Sequence, residues 1–88
     1  MSQQTETDQL FKTDLCGFCY RVRGFLDQHG IEVPLRDINQ DNAAFRELLK
    51  ATGRGTVPCL RIQRGEEVHW MFESMDIIKY LAGKHGIH

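Results

Sequence analysis

Two cysteines stand three residues apart in the run Cys16-Gly17-Phe18-Cys19, where the pattern predicts that a strand ends and a helix begins. Residues at positions i and i+3 of a helix lie on the same side, with Cβ atoms about 5–6 Å apart. A disulfide needs about 3.5–4.5 Å between the Cβ atoms, so a small movement closes or opens this bond. The first cysteine lies at a helix N-terminus, where free N–H groups and the helix dipole favour a thiolate. The spacing therefore predicts a redox pair, with Cys16 as the attacking thiolate and Cys19 as the resolving thiol.

Two other interpretations of the cysteine pair have less support. Two ordinary buried cysteines could fall at this spacing, but the strand-to-helix junction is typical of a reactive pair. A zinc site needs four ligands, so Cys59 and a histidine would have to complete it, and the sequence has no second closely spaced pair. We therefore prefer the redox interpretation and predict no zinc ligand.

The bulk composition narrows the class of protein. With 88 residues, the chain has room for one domain with a moderate core. The net charge of −1, from 11 basic and 12 acidic residues, gives no support to binding of nucleic acid or a membrane. The polar N-terminus lacks the apolar region of a signal peptide, and three cysteines are an odd number for a disulfide-stapled secreted domain. We therefore expect a reducing compartment, the cytoplasm.

The elements that must position the pair follow from hydrophobic periodicity and from helix start and stop signals. We predict a flexible tail over residues 1–8 and one domain over residues 9–88. The predicted strands cover about 9–12, 31–38, 57–63 and 67–72, and the predicted helices about 17–28, 42–52 and 74–83. Asp41 or Asn42 is predicted to cap the second helix and Ser74 the third, and Pro34 places its strand at a sheet edge. This α/β order, β-α-β-α-β-β-α, predicts a mixed four-stranded sheet with helices on both faces.

Three motifs on this pattern resemble the glutaredoxin family, and the likeness covers roughly residues 9–85. They are Cys16-Gly17-Phe18-Cys19 with Lys12 upstream, Thr56-Val57-Pro58 after the second helix, and Ser74-Met75-Asp76 opening the third. The resemblance implies a thioredoxin-like fold with glutathione as the reductant. The run Glu73-Ser74 and the apolar residues that follow it are also similar to the N-terminal domain of glutathione transferases.

The resemblance also implies where glutathione binds. A cis Val57–Pro58 bond would turn the Val57 backbone toward the cysteinyl part of glutathione. Ser74 and the helix N-terminus would hold the γ-glutamyl carboxylate, and Glu73 or Asp76 its amino group. Lys12 would hold the thiolate or a carboxylate of glutathione. The implied glutathione-binding residues are Lys12, Phe18, Thr56, Val57, Pro58, Glu73, Ser74 and Asp76.

The chain departs from the family pattern at two places. Phe72-Glu73 stands where glutaredoxins usually have two glycines, which leaves open whether Glu73 or Asp76 is the acidic contact. Gly17 replaces the usual proline of the motif, and small residues there occur in members that bind a [2Fe–2S] cluster between two subunits through a thiolate like that of Cys16 and glutathione.

The sequence therefore predicts a glutathione-dependent thiol–disulfide oxidoreductase. Cys16 and Cys19 are its predicted catalytic residues, and its partners are glutathione and glutathionylated or disulfide-containing proteins. We expect a monomer that binds neither nucleic acid nor a membrane. Two alternatives stay open, namely a dimeric carrier of a glutathione-ligated [2Fe–2S] cluster and a glutathione-binding adaptor without turnover.

Overall fold

The computed structural model describes residues 6–87. Seven elements follow one another: β1 (Glu6–Lys12), α1 (Gly17–His29), β2 (Leu35–Asp37), α2 (Asn42–Thr52), β3 (Cys59–Arg64), β4 (Glu67–Met71) and α3 (Ser74–Lys84). This is the predicted order. No helix in the described part of the chain is long and apolar enough to cross a membrane.

The strands form one mixed sheet in the order β2-β1-β3-β4. β1 runs parallel to β2 and antiparallel to β3, and β3 and β4 form a hairpin. Pro34 lies directly before the edge strand β2, and its carbonyl accepts the N–H of Leu10 at 2.9 Å. The predicted edge position is confirmed. β2 is shorter than predicted at both ends: it begins only after Pro34, which has no N–H to donate to the sheet, and its pairing ends where β1 ends, at Lys12 opposite Asp37.

Helices pack on both faces of the sheet, as the sequence predicts. Successive strand residues point to opposite faces, so Leu10 and Phe11 belong to different cores. The core on one face joins β1 and β3 to α1 and α3, and its buried residues are Leu10, Val22, Leu26, Leu60, Ile62, Ile77 and Leu81. The core on the other face joins the sheet to α2 and consists of Phe11, Ala44, Leu48 and Cys59. The sheet is therefore the middle layer of three.

β1 begins at Glu6, whereas the sequence predicts a tail through residue 8. Glu6 pairs with Arg64 in the β1–β3 ladder, and its carboxylate contacts Arg64 Nε and Lys84 Nζ at 2.8 Å each. Asp8 is buried and also contacts Lys84 Nζ, at 2.6 Å. These partners come from the far end of the chain, so local sequence gives no sign of them. The remainder of the predicted tail, residues 1–5, lies outside the described residues.

The helix ends agree with the predicted signals except at α3. Asp41 caps α2 by accepting the N–H groups of Ala43 and Ala44 at 3.0 and 3.2 Å. α2 stops at Gly53, whose φ of 71° is readily adopted only by glycine. The prediction that Ser74 caps α3 is wrong. Ile77 N–H bonds to the carbonyl of Glu73 at 2.9 Å, so Glu73 is the cap and the buried Ser74 is the first helical residue.

We expect Glu6→Gln to lower the free energy of unfolding by about 1–2 kcal/mol at pH 7, because charge-assisted hydrogen bonds are lost. Lys84, Tyr80 and Arg64 hold the pKa of Glu6 down to about 2, from an ordinary 4.5. The folded state therefore keeps Glu6 ionised at lower pH than the unfolded state does. Its contribution is present above about pH 4.5 and is lost as the pH falls toward 2.

Urea unfolding of the wild type and of Glu6→Gln, at pH 7 and at pH 3, measures the difference between their free energies of unfolding. It should be smaller at pH 3, and a difference that grows on acidification would contradict the assignment. Glu66→Gln, at an exposed residue of the β3–β4 turn, is the matched control and should change stability little.

Candidate active site

Cys16 lies at the junction of β1 and α1, where it is the N-cap residue of the helix. Its Sγ accepts the N–H of Cys19 at 3.4 Å, and its carbonyl accepts the N–H of Tyr20 at 3.0 Å. The side chain is half-buried. A sulfur in this position meets the free N–H groups of the first helical turn, which stabilise a negative charge. The predicted placement of Cys16 at a helix N-terminus is confirmed.

Cys19 lies one turn into α1 and is fully buried. Burial, together with the neighbouring Cys16 thiol, raises the pKa of Cys19 to about 12. The two thiols therefore differ in kind, because one reaches solvent and the other is held protonated by its surroundings. No disulfide joins the three cysteines of the chain.

The loop before β3 approaches Cys16 from the other side. The Val57–Pro58 peptide bond is cis, which confirms the prediction for this loop. Cys16 Sγ lies 3.7 Å from the carbonyl oxygen of Val57, to which the thiol donates. A backbone carbonyl thus lies beside the sulfur, and the adjacent Pro58 is buried.

A groove of about 200 Å³ opens next to this loop. It unites six of the predicted glutathione-binding residues, from α1, the cis-proline loop and the start of α3. Its lining consists of Phe18, Arg54, Thr56, Val57, Pro58, Phe72, Glu73 and Ser74. Asp76 is exposed and does not line the groove, so Glu73 is the acidic residue that the structure places there. A larger cavity, of about 540 Å³ near β2, is lined by no cysteine.

Lys12 does not line the groove either. It is buried at the end of β1, and its Nζ contacts Asp14 at 2.7 Å and Asp37 at 3.2 Å. A buried charge is expensive without a partner, and these carboxylates raise the pKa of Lys12 in spite of its burial. The predicted contact with glutathione is therefore not supported by the geometry. Lys12 instead anchors the loop that carries Cys16.

Sequence reasoning did not assign Arg54 or Phe72 to the site. The Arg54 guanidinium lies 4.3 Å above the Phe72 ring, and both line the groove. Arg54 lies in the loop that leads to the cis proline, and Phe72 directly precedes Glu73. The sequence indicated their place only by position, since Arg54 stands two residues before Thr56-Val57-Pro58 and Phe72 stands two residues before Ser74.

Cys59 is fully buried at the start of β3, and burial raises its pKa to about 12. Residues 6–87 contain no group of three or more His, Cys, Asp or Glu side chains placed to hold a metal ion. A [2Fe–2S] cluster would need glutathione and a second subunit as well, so that alternative stays a prediction.

A glutaredoxin family model matches residues 9–68, which include the cysteine motif, the cis-proline loop and the hairpin. The chain belongs to the glutaredoxin family. No curated protein sequence is significantly similar to this glutaredoxin-family chain.

Solved structures share its architecture. Glutaredoxin 2 from Salmonella typhimurium, in complex with glutathione, is 27% identical with a TM-score of 0.70, and the match covers 94% of this chain and 36% of that one. Maleylacetoacetate isomerase from Anaeromyxobacter dehalogenans, with bound glutathione, is 24% identical with a TM-score of 0.71, covering 96% of this chain and 40% of that one. A thioredoxin-like protein is 23% identical with a TM-score of 0.65, covering 85% and 99%.

These likenesses show a thioredoxin-like fold, as predicted. The chain spans only about two fifths of the isomerase.

Brief treatment of the folded protein with iodoacetamide at pH 8 should label Cys16 alone. Cys19 and Cys59 are fully buried and their pKa values are about 12, against about 9 for a free thiol. Their thiolate fractions are then lower by about a thousandfold, and only the thiolate reacts. Peptide mass spectrometry identifies the labelled residue. Labelling in urea should reach all three cysteines, and equal labelling of Cys16 and Cys19 in the folded state would contradict the assignment.

Proposed function

We propose that this chain is a glutathione-dependent thiol–disulfide oxidoreductase that acts on protein–glutathione mixed disulfides. The observation that carries the proposal is the position of a half-buried thiol at a helix N-terminus, 3.7 Å from the carbonyl of Val57, which lines a groove of about 200 Å³. Family membership supports it, because the residues matched to the glutaredoxin family, 9–68, include both cysteines.

In the first step, the Cys16 thiolate attacks the glutathione sulfur of the mixed disulfide. A bond forms between Cys16 and glutathione, the original S–S bond breaks, and the substrate protein leaves as a thiolate that takes a proton from water. The thiolate of a second glutathione then attacks the glutathione sulfur on Cys16 and releases glutathione disulfide. Over the whole cycle Cys16 begins and ends as a thiolate, the substrate sulfur is reduced from disulfide to thiol, and the sulfur of the second glutathione is oxidised as it enters glutathione disulfide.

With a protein disulfide as substrate, the buried Cys19 takes part. The Cys16 thiolate attacks one sulfur of the substrate disulfide, whose S–S bond breaks and releases the other sulfur as a thiolate. Cys19 then attacks Cys16, which closes an intramolecular disulfide and expels the first substrate sulfur as a second thiolate. Two glutathione molecules later reduce the disulfide. This route requires a proton to leave a thiol whose pKa is about 12. The route through Cys16 alone avoids that step, so we propose that deglutathionylation is the principal reaction.

The groove lining supports a way of binding glutathione. The Val57 backbone would pair with the cysteinyl residue, as a strand added to an edge. The amides of α3 before Ile77 precede the first intrahelical hydrogen bond, so together with Ser74 they suit the γ-glutamyl carboxylate. Glu73 suits the neighbouring amino group, and Arg54 suits the carboxylate at the other end. The glutaredoxin 2 complex with glutathione supports this choice of ligand.

The cycle consumes reduced glutathione, so we also propose that the protein works in a reducing compartment such as the cytoplasm. Glutathione maintains thiols there in the reduced state.

Cys16→Ser should abolish turnover of a glutathionylated protein, because it removes the attacking sulfur. Cys19→Ser should retain at least half of the rate, because the route through Cys16 alone does not use it. The assay couples the glutathione disulfide produced to glutathione reductase and follows NADPH oxidation. Equal loss in both variants would refute these roles, and glutathione binding without turnover in the wild type would favour the adaptor alternative.

Glu73→Gln should raise the KM for glutathione about three- to tenfold with little change in kcat, because a charge-assisted hydrogen bond to the amino group is lost. Asp76→Asn is the matched variant, since Asp76 also belongs to the α3 N-terminal region but lies outside the groove. A larger rise in KM for Asp76→Asn than for Glu73→Gln would transfer the role to Asp76.

A further inference from the structure

The most exposed large apolar side chains of the described residues gather around Cys16. Leu15, Phe18 and Tyr20 are 91%, 60% and 76% exposed, and Met75 at the start of α3 is 50% exposed. The next such residues, elsewhere on the surface, are only 38–43% exposed. Burying this much apolar surface within the domain would have stabilised it, so its exposure next to the nucleophile indicates a binding surface.

Arg21 lies among these apolar side chains. Its Nη1 is 3.8 Å from the sulfur of Met75, and its Cζ is 5.9 Å from the centre of the Phe18 ring. Within residues 6–87, no carboxylate lies within 4.0 Å of Arg21. Four other arginines have such a partner: Arg23, Arg36, Arg61 and Arg64. The charge of Arg21 is thus free to meet an anion from outside.

The acidic residue of the loop before Cys16 does not neutralise Arg21, because it is paired with other cations. Asp14, two residues before Cys16, already contacts Lys12 Nζ at 2.7 Å and Arg23 Nη1 at 3.2 Å. Arg21 is itself an exposed residue, so its guanidinium is accessible to a carboxylate of another molecule.

We define the docking surface as Leu15, Phe18, Tyr20, Arg21 and Met75. It shares only Phe18 with the lining of the glutathione groove. A mixed disulfide has two halves, and its glutathione half is assigned to that groove. The protein half must extend away from Cys16 over surface that glutathione does not cover. The docking surface adjoins Cys16 on that side.

We propose that the docking surface binds the protein half of the mixed disulfide and that Arg21 selects substrates with Asp or Glu beside the glutathionylated cysteine. The apolar side chains supply contact area for any extended segment, and the unpaired guanidinium supplies discrimination by charge. This inference rests on the proposed function, because it concerns the substrate of the same reaction.

Two peptides test the selection. Each is a hexapeptide with one glutathionylated cysteine, flanked on both sides by Asp in one peptide and by Lys in the other. In the coupled assay at low salt, the wild type should favour the acidic peptide about three- to tenfold in kcat/KM, the range expected for one or two surface charge pairs. The preference should shrink as salt is added. Arg21→Gln should bring the ratio close to one, and Arg21→Glu should reverse it.

Arg46→Glu is the matched control. It makes the same change in net charge on α2, which packs on the opposite face of the sheet, at an exposed residue without a carboxylate partner among residues 6–87. Its peptide ratio should equal that of the wild type. Equal ratios in wild type and Arg21→Glu, or an effect of Arg46→Glu as large as that of Arg21→Glu, would overturn the inference.

A small substrate separates this inference from the proposed function. If the wild type does not turn over the mixed disulfide of glutathione and 2-mercaptoethanol, the proposed function fails. If it turns over that substrate but does not distinguish the peptides, only the selection by Arg21 fails. Sedimentation tests whether a second copy of the chain occupies the docking surface instead. A wild-type dimer that dissociates in Phe18→Ser would assign the surface to that second copy and overturn the proposal.

Discussion

The N-terminus of α1 is the constraint on which the site depends. Its first-turn N–H groups need acceptors, and the sulfur of Cys16 supplies one by accepting the N–H of Cys19 at 3.4 Å. This bond holds the sulfur at the positive end of the helix dipole and half-exposed to solvent. Three residues further, the helix has entered the core, so Cys19 is buried and its pKa rises. The first turn of α1 thus carries one thiol that reaches solvent and one that is buried and held protonated.

The sheet brings the second half of the site to this helix. In the β1–β3 ladder, Phe11 lies opposite Cys59, so the loop after β1 and the loop before β3 leave the sheet at the same end. That register places the Val57 carbonyl beside Cys16 although 41 residues separate them. The start of α3 completes the groove, because the buried Ile77 and Leu81 fix that helix against the same core as α1. The site is therefore a meeting of three loops at one end of the sheet.

Charges near the site are divided between structure and surface. The buried Lys12 is neutralised by Asp14 and Asp37, and these contacts stabilise the active-site loop from beneath. Arg21 and Arg54 lie on apolar rings at the surface, with no carboxylate within 4.0 Å among residues 6–87. In the proposed reaction, such unpaired cations would be available to the carboxylates of glutathione and of the substrate protein. What distinguishes Arg21 and Arg54 from the equally unpaired Arg46 on α2 is that they lie against aromatic rings close to Cys16 and the groove.

Local sequence determined the element order, the helix ends at Gly30 and Gly53, and the place of the cysteine pair, because these depend on periodicity and on backbone preferences of single residues. For the cap of α2 it left two neighbouring residues, Asp41 and Asn42, between which the structure selects Asp41. Only the tertiary structure decided which polar residues meet. Lys12 proved to be buried between two carboxylates, Arg54 and Phe72 joined the groove, and Glu6 and Asp8 became part of β1 through partners near the other end of the chain. Pairing across such distances in sequence is set by strand register and helix packing, which no local pattern encodes.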